Sequence, residues 1–374
     1  MSEGLQPQIQ MNAIQDMMVR LEYVWLDGYT TKNLRSKVRY ENWKLDTNAG
    51  LSRDSVLSKC PQWSYDGSST DQADVDNSDI LLNPVRVYAN PLEETDMPSF
   101  FVLCESMTMD QVPEPLESNS RASLRDAIRG NTEGYWFAPE QEYFITDKKG
   151  TPLDFNTEDQ EEQGRYYCGA GGVVSGRDLV EMHATVCQMM RLPLCGTNAE
   201  VAPAQWEYQL SPTEPLEAAD DLWMSRYLLQ RLSEKAGLAV DFSPKPLGPG
   251  WNGSGCHINF STDKMREEGG ANYINDLVMK LRDTHKNAMK VYGEGNEERL
   301  TGKCETQHYK KFTWGNGDRT ASVRIPMFTV RNGWKGHIED RRPAANMDPY
   351  EAYAFVVNAL ENSHEEERQT AEVI

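Results

Sequence analysis

Short runs typical of β-strands follow one another over the first hundred positions. The clearest runs are residues 21–28 (LEYVWLDG) and 99–107 (SFFVLCESM), and Gly, Asn, Asp and Pro interrupt the sequence around them. Residues 1–18 follow neither a strand pattern nor a long helical pattern, and they predict a loose arm or a short helix. The region 21–110 therefore predicts a small β-rich domain.

Helical periodicity begins after a polar, proline-containing stretch at residues 110–120, which predicts a linker that ends in a helix N-cap. Apolar side chains then repeat at helical spacing over residues 178–191 and again over residues 219–236. We expect the second of these helices to end at Gly237, because glycine readily takes the left-handed conformation of a C-cap.

A last helix is expected near the C-terminus. Asp348 is placed as its N-cap, Pro349 as its first residue and Glu351 as the glutamate of a capping box. Strand-like and helical runs mix throughout the region that follows the linker. We therefore expect one large α+β domain over residues 116–374.

Composition narrows the class of protein. The chain has 374 residues, of which 39% are hydrophobic, and this is enough for two domains with a large core. A formal net charge of −20 repels phosphate backbones, so we expect no nucleic-acid partner. The apolar runs are too short to cross a bilayer, and the first residues resemble neither a secretory signal nor a transit peptide. Seven cysteines without a C-x-x-C pair indicate reduced thiols, so we expect a soluble intracellular protein with no membrane partner.

Five later segments place charged side chains inside strand-compatible sequence. Glu140 and Glu142 would point to the same face of an extended strand, where two like charges repel each other unless a cation lies between them. Glu200 and Glu207 flank Pro203, which predicts two short strands or a strand and a turn. Each pair by itself is also typical of an exposed strand face with solvated charges.

The third and fourth segments add a histidine and two arginines. His257 and Asn259 share one face of a predicted strand, although a single histidine of this kind is more often a hydrogen-bonded core residue than a ligand. Arg319 and Arg324 have little acidic sequence beside them, which indicates binding of an anion such as phosphate or carboxylate. Salt bridges to distant acidic residues are the alternative.

The fifth segment brings Glu339 and Arg341 onto one face if it is extended, or else forms a surface ion network. Together the segments offer five glutamates and one histidine, ligands that suit Mg²⁺ or Mn²⁺ better than Zn²⁺. Two such ions near several arginines would suit phosphoryl transfer from a nucleotide. The sequence has no P-loop of the G-x-x-x-x-G-K-[ST] kind, so it does not support a Walker-type nucleotide fold.

Seven longer motifs carry a resemblance to a known family. They are WSYDGSST (63–70), APEQEY (138–143), GTNAEVAPAQWEYQ (196–209), WNGSGCHINFS (251–261), RLTG with ET (299–306), RTASVRIP (319–326) and EDRRPAANMDP (339–349). In this order they resemble the signature segments of glutamine synthetases. The residues of these motifs and the length of the chain are similar to those of the shorter, eukaryotic-like class. The resemblance runs from about residue 21 to residue 360.

The resemblance implies a fold and an assembly. After an N-terminal arm (1–20), residues 21–110 would form a β-grasp domain, and residues 116–374 a catalytic domain with a curved antiparallel sheet flanked by helices. Family members of this class form two stacked pentameric rings. Each active site lies between the small domain of one subunit and the large domain of its neighbour, so Asp66 would serve the site of an adjacent subunit.

The resemblance also implies residue roles. The ligands of the metal beside glutamate and ammonia would be Glu142, Glu200 and Glu207. The ligands of the metal on the nucleotide phosphates would be Glu140, His257 and Glu339. The groups that bind substrate glutamate would be Asn252, Gly253, Arg299 and Arg341. The contacts to the nucleotide would be Trp136, Glu207, Asn259, Ser261, Arg319 and Arg324. The catalytic residues would be Asp66, which binds ammonium and takes its proton, Glu305 of a closing flap, and the phosphate-binding Arg319 and Arg324.

The implied activity joins ammonia to the side-chain carboxylate of L-glutamate, with ATP and Mg²⁺ or Mn²⁺, through γ-glutamyl phosphate. A γ-glutamyl ligase for a larger amine and a non-catalytic scaffold on the same fold are the alternatives. The sequence departs from the family pattern at Lys303 and Cys304, which replace an aromatic residue and a histidine, and at Asp318, where asparagine is usual. We expect a cytoplasmic protein, with a plastid or mitochondrial form whose presequence has been removed as the alternative.

Overall fold

The computed structural model of the chain describes residues 14–46, 51–155 and 162–371. Thirteen strands and ten α-helices lie within these ranges. The described helices include none that is long and apolar enough to cross a bilayer. All seven cysteines lie in the described part of the chain, and all are free thiols.

The chain divides into two compact units. The first comprises Met1–Leu26 and Leu34–Glu114, and the second comprises Asp27–Asn33 and Pro115–Ile374. The short segment that groups with the second unit is closed into a turn, because the Asp27 carboxylate accepts hydrogen bonds from the backbone N–H and the side chain of Asn33.

The first unit is a five-stranded mixed sheet with the order β2-β1-β5-β4-β3. The two central strands, β1 and β5, run parallel, and every other neighbouring pair is antiparallel. A short helix, α1 (Arg53–Leu57), follows the second strand. The strands are β1 (Ile14–Leu26), β2 (Leu34–Asp46), β3 (Trp63–Asp66), β4 (Asp79–Ala89) and β5 (Ser99–Met107).

Strand β1 corrects one expectation at the N-terminus. Residues 14–20 were expected in the N-terminal arm, but they pair with β2 in a continuous antiparallel register that reaches Asp46. Backbone hydrogen bonds to a long partner strand impose the extended conformation on a stretch whose own side chains alternate poorly. Residues 1–13 lie outside the described residues. The runs predicted as strands at 21–28 and 99–107 fall on β1 and β5.

The second unit is built on an eight-stranded sheet with the path β11-β12-β13-β10-β6-β8-β7, and β9 pairs with β6. All neighbouring pairs are antiparallel except β11 and β12, so the expected antiparallel sheet has one parallel pair at its edge. The strands are β6 (Trp136–Thr146), β7 (Leu194–Ala199), β8 (Gln205–Leu210), β9 (Ala239–Asp241), β10 (Cys256–Ser261), β11 (Trp314–Asn316), β12 (Val323–Ile325) and β13 (Ile338–Asp340).

Nine helices complete the described part of the second unit. The three helices predicted from periodicity and capping are confirmed as α3, α4 and α10. Gly237 ends α4 with a φ of 72°, and Asp348 accepts the backbone N–H of Tyr350 at the start of α10. The helices are α2 (Ser120–Ala127), α3 (Arg177–Met189), α4 (Pro215–Ala236), α5 (Asp263–Glu267), α6 (Ala271–Asp283), α7 (His285–Val291), α8 (Asn296–Arg299), α9 (Met327–Arg331) and α10 (Pro349–Ala371).

One face of the central strand β6 belongs to the core beneath the helices. The ring of Phe137 stacks on Tyr353 of α10 with 4.3 Å between centroids, and Gln141 accepts a hydrogen bond from Arg226 of α4. Side chains alternate along a strand, so the residues between these positions point to the other face. That face carries the charged side chains of β6.

Candidate active site

Strand pairing gathers distant acidic residues onto one face of the second sheet. Glu142 of β6 lies opposite Glu207 of β8, and Glu140 lies opposite Gln209. On the other side of β6, His257 of β10 lies opposite Glu140. Directly paired residues of antiparallel strands project to the same face with Cβ atoms about 4.5–5.5 Å apart. The register therefore decides that these groups meet.

Two further strands extend the same row. Asn259 of β10 lies opposite Glu339 of β13, and Glu339 lies opposite Arg324 of β12. Glu200 follows the end of β7 in the turn that leads into β8. The two strands predicted around Pro203 are thus confirmed as a β-hairpin, which brings both of its glutamates to the site.

A cavity of about 430 Å³ opens on this face, and it collects most of the residues that the sequence singled out. The predicted residues that line it are Glu140, Glu142, Glu200, Glu207, Asn252, Gly253, His257, Arg299, Glu305, Arg319, Arg324, Glu339 and Arg341.

A second cavity of about 420 Å³ adjoins the first, since Glu140 and Gln209 line both. Its walls include the three other predicted nucleotide contacts, Trp136, Asn259 and Ser261. Trp136 is 40% exposed, so part of its ring is open to a ligand.

Asp66 belongs to the first unit and is not among the residues that line these cavities. It ends strand β3, and its exposed carboxylate accepts hydrogen bonds from the Ser68 backbone N–H and from the Ser68 and Ser69 hydroxyls. These bonds lower the pKa of Asp66 to about 2. The carboxylate is therefore ionised at neutral pH.

Glu140, His257 and Glu339 form a candidate metal site, with one donor atom from each side chain within 4.8 Å of the others. The Nδ1 atom of His257 lies 3.5 Å from a carboxylate oxygen of each glutamate, and its Nε2 atom accepts a hydrogen bond of 3.0 Å from Arg299. Burial lowers the pKa of His257 well below its usual value, so the imidazole is neutral, as a metal ligand must be.

Glu142, Glu200 and Glu207 form a wider acidic set in the same cavity. Burial, together with the charges of neighbouring carboxylates, raises the pKa of Glu200 to about 8 and the pKa of Glu207 to about 9. Burial also raises the pKa of Glu142, and Arg299 opposes that rise. Within the described ranges, the carboxylate oxygens of Glu142, Glu200 and Glu207 do not converge as closely as the donor atoms of Glu140, His257 and Glu339.

The two acidic sets fit divalent cations. Burying several carboxylates together is unfavourable unless a positive charge compensates them, and carboxylate oxygens with one imidazole suit Mg²⁺ or Mn²⁺. Burial and the neighbouring carboxylates, which raise the pKa values of Glu200 and Glu207, are the conditions that a nearby cation relieves. The donor set therefore fits a divalent cation.

Three arginines supply positive charge beside the carboxylates. Arg324 and Arg341 each donate a hydrogen bond to a different oxygen of Glu339, at 2.6 and 2.5 Å. Arg299 is buried, and burial lowers its pKa to about 10, so it remains charged at neutral pH. Arg319 is exposed at the rim of the same cavity. The cavity wall thus offers positive charge to a ligand that carries several negative charges.

The segment that follows Arg299 carries Glu305 over the cavity. Cys304 and Glu305 both have the left-handed backbone conformation, with φ values of 55° and 57°. Asn252 donates a hydrogen bond of 3.2 Å from Nδ2 to a carboxylate oxygen of Glu305. Cys304, one of the departures from the family pattern, also lines the cavity.

Sequence reasoning missed the amides that orient the acidic side chains. Gln209 donates a hydrogen bond of 2.6 Å to Glu207, and Asn198 donates one of 2.9 Å to Glu200. Both amides stand two positions from their glutamates, and such i, i+2 spacing on a strand was the available signal. Arg266, which also lines the second cavity and lies over the Trp136 ring at 4.0 Å, gave no signal in the sequence.

A buried cluster of carboxylates and one histidine, with arginines around it, defines a class of enzyme that binds divalent metals and acts on anionic substrates. Comparison with known proteins identifies the family. Residues 119–288 match the sequence model described as "Glutamine synthetase, catalytic domain".

Curated relatives extend the match over almost the whole chain. The glutamine synthetase of Emericella nidulans is 41% identical over 346 residues, which cover 91% of this chain and 92% of that protein. The one from Suillus bovinus is 42% identical over 342 residues, covering 91% and 92%. Glutamine synthetase 1, mitochondrial, of Drosophila melanogaster is 42% identical over 341 residues, covering 89% and 81%. The chain belongs to the glutamine synthetase family, whose enzymes make glutamine from glutamate and ammonia.

Proposed function

We propose that the protein is an ATP-dependent glutamate–ammonia ligase that works through γ-glutamyl phosphate. The observation that carries this proposal is the convergence of Glu140, His257 and Glu339 in a cavity that is also lined by three more glutamates. Arginines surround both acidic sets. A reaction between a carboxylate and a polyphosphate needs both bound cations and arginines, since two anions must approach each other.

Two divalent cations, Mg²⁺ or Mn²⁺, are proposed to bind at the acidic sets. Glu140, His257 and Glu339 would hold one, and the other would be held by Glu142, Glu200 and Glu207. When bound, such ions offset the charge of the nucleotide phosphates and of the substrate carboxylate. Orienting hydrogen bonds from Asn259 to Glu140 and from Gln209 to Glu207 support these assignments.

The remaining cavity residues are proposed to bind the substrates. Arg299 and Arg341, with the backbone at Asn252 and Gly253, would bind L-glutamate. A side chain at position 253 would disturb this group, because a Cβ atom there would lie 2.1 Å from the Pro244 carbonyl oxygen and 2.9 Å from Cγ of Arg299.

The nucleotide is proposed to lie across both cavities. Trp136 would stack on the base, and Asn259 and Ser261 would contact the nucleoside. The phosphates would lie near Glu207, Arg319 and Arg324, which line the first cavity. The shared boundary of the two cavities at Glu140 supports a single elongated ligand.

The chemistry follows from the leaving group. A carboxylate is a poor acyl donor because oxide does not leave. Transfer of the γ-phosphoryl group of ATP to the glutamate side chain gives γ-glutamyl phosphate and ADP. Ammonia then attacks the carbonyl carbon, the bond to the phosphate oxygen breaks, and glutamine and phosphate are released. Arg319 and Arg324 would hold the transferred phosphoryl group.

Asp66 is proposed to bind ammonium for the site of a neighbouring subunit. Its pKa of about 2 supports this part of the role, because the carboxylate stays ionised and attracts a cation. The same pKa makes it a weak proton acceptor. Acceptance of the ammonium proton would therefore require that Ser68 or Ser69 withdraw a hydrogen bond.

Glu305 is proposed to close the site over γ-glutamyl phosphate. Water competes with ammonia for this intermediate, so a residue that excludes water raises the yield of glutamine. The position of Glu305 in the cavity wall, held by Asn252, supports this role.

We infer a ring assembly of ten chains, in which the sheet that begins at Ile14 and the residues up to about 110 form a β-grasp domain and residues 116–374 the catalytic domain. The mixed sheet with its parallel central pair β1 and β5 supports the first assignment. Native mass spectrometry should find ten copies of the 42.5 kDa chain. A hexameric ring stack of twelve copies, or a monomer, would contradict this assembly.

A cytoplasmic location is our proposal, and a mitochondrial or plastid form is the alternative. The mitochondrial relative from Drosophila keeps that alternative open, since related proteins occur in an organelle. Fractionation of cells from the source organism, with an antibody against this chain, would decide between them.

The test of the activity is a coupled assay of ADP release with Mg²⁺. Release should require both glutamate and ammonia and should match glutamine one to one. Ethanolamine and polyamines should be poor substitutes for ammonia, whereas faster turnover with a bulky amine would favour a γ-glutamyl ligase of different specificity. Absence of ADP release under every combination would favour the non-catalytic scaffold.

A further inference from the structure

Gln163, a residue without a role in the proposed reaction, holds the side chain of Asn252. Its Oε1 atom accepts the backbone N–H of Asn252 at 2.5 Å, and its Nε2 atom donates to Oδ1 of Asn252 at 2.8 Å. This pair of hydrogen bonds fixes both the position and the orientation of the Asn252 carboxamide.

The orientation matters because Nδ2 of Asn252 then faces the carboxylate of Glu305, to which it donates at 3.2 Å. If the carboxamide turned over, its carbonyl oxygen would face the carboxylate, and two acceptors cannot form a hydrogen bond. The amide nitrogen of Gln163 can only donate, so it selects the orientation in which Asn252 binds Glu305.

The segment that carries Gln163 is anchored beside the metal-binding residues. Gly164 donates its backbone N–H to the carbonyl of Val201, in the turn between β7 and β8, at 2.9 Å. The ring of Tyr166 lies 6.3 Å from the ring of Trp251, the residue before Asn252. The segment around Gln163 therefore contacts both the β7–β8 turn and the loop that carries Asn252.

Glu305 needs such support. The left-handed conformation is unfavourable for residues with a side chain, and here Cys304 and Glu305 adopt it in succession. Backbone of this kind persists only where surrounding contacts outweigh its cost, and the Asn252 hydrogen bond is one of them.

We propose that Gln163 is a positioning residue that orients Asn252 and, through it, keeps Glu305 over the cavity. This inference rests on the proposed function, because it takes Glu305 as the group that shields γ-glutamyl phosphate. Without Gln163, water reaches the acyl phosphate more often and attacks its carbonyl carbon. Phosphate then leaves and glutamate is regenerated, so ATP is consumed without glutamine.

The first test compares Gln163→Met, which keeps the length of the side chain and removes both hydrogen bonds, with Glu162→Gln at the neighbouring exposed position. Gln163→Met should lower the yield of glutamine per ADP about three- to tenfold, the effect of one or two net hydrogen bonds. The KM for ATP should not change. A wild-type yield in Gln163→Met, or an equal loss in Glu162→Gln, would overturn the proposal.

Two further measurements separate positioning from a general structural effect. In an Asn252→Ala background, Gln163→Met should lower the yield no further, whereas additive losses would contradict action through Asn252. Hydrogen exchange of the peptide 303–308 should be faster in Gln163→Met than in Glu162→Gln. Hydrogen exchange does not depend on turnover, so it tests the positioning role of Gln163 even if the wild-type protein makes no glutamine. Equal exchange rates in the two variants would count against the proposal.

Discussion

At the scale of single residues, Glu207 lies among other carboxylates whose charges repel its own. Glu207 is 6% exposed and faces the charges of Glu140, Glu142 and Glu200, which together with burial raise its pKa to about 9. A group of this kind serves function and lowers stability, because its ionised form is costly until a cation arrives.

Replacing Glu207 with glutamine should therefore stabilise the metal-free protein and abolish its activity. At pH 8 we expect a gain of about 1–3 kcal/mol in the free energy of unfolding, measured by urea denaturation with EDTA present. Magnesium should stabilise the variant less than the wild type, since one ligand is lost. The control is Glu181→Gln on the exposed face of α3, which should change neither quantity. A less stable Glu207→Gln protein would show that the carboxylate is already compensated.

Gly255 is a second residue at the site, and its neighbours leave no room for a side chain there. A Cβ atom at this position would lie 2.4 Å from Nη2 of Arg299 and 2.9 Å from Nε2 of His257. Gly255→Ala should displace Arg299 and reduce kcat/KM for glutamate about 10- to 100-fold, since small displacements of a positioning group are costly. Gly250→Ala, where the added Cβ meets nothing within 4 Å, should behave as wild type in the same steady-state assay. Equal activity of the two variants would argue against Arg299 as the glutamate-binding group.

At the scale of elements, the β7–β8 hairpin carries both Glu200 and Glu207. The sequence predicted two short strands, or a strand and a turn, around Pro203, and the structure has the two strands. Which strand pairs with the hairpin was not predictable, because pairing depends on long-range packing. The partner, β6, supplies Glu142 directly opposite Glu207, and this register creates the acidic set.

The hairpin should make metal-free stability fall as pH rises. In the unfolded chain both glutamates lose their protons near pH 4.5, whereas in the folded protein they do so near pH 8 and pH 9. Their contribution to stability is therefore complete below about pH 4.5 and is lost as pH rises through 8 to 9. Denaturant unfolding in EDTA between pH 5 and pH 9 should show this loss. A double variant, Glu200→Gln with Glu207→Gln, should flatten the slope, and a slope that persists would assign it to other groups.

At the scale of the whole second unit, a buried ion pair joins the sheet to the helices behind it. Arg342 is 1% exposed and donates hydrogen bonds to Asp340 of β13, while the Tyr292 hydroxyl donates to the same carboxylate. Arg342 also contacts the Leu281 carbonyl of α6 and the His285 ring of α7. The pair thus locks the strand that carries Glu339 against two helices.

Arg342→Met should destabilise the protein by about 3–5 kcal/mol, because it leaves the buried Asp340 charge without its partner. Equilibrium unfolding in urea would measure the change. The exposed Arg331 of α9 provides the control, and Arg331→Met should stay within about 0.5 kcal/mol of wild type. A loss below about 1 kcal/mol in Arg342→Met would mean that Asp340 becomes neutral or hydrated instead.

The sequence by itself determined the local conformations and the chemical inventory. A short strand-like run predicted β5, helical spacing and Gly237 predicted α4, and the order of the motifs indicated the family and its expected ligands. These features depend on neighbours within a few residues, or on matched segments, so the chain contains them before it folds.

Only the tertiary structure decided which groups meet and what pKa values they have. Residues 14–20 became a strand because β2 pairs with them, and Glu142 met Glu207 because β6 pairs with β8. The pKa values of Glu200 and Glu207 likewise arise from burial beside carboxylates far away along the chain. Distance in space, and not distance in sequence, sets pairing, desolvation and charge repulsion, and no local pattern encodes it.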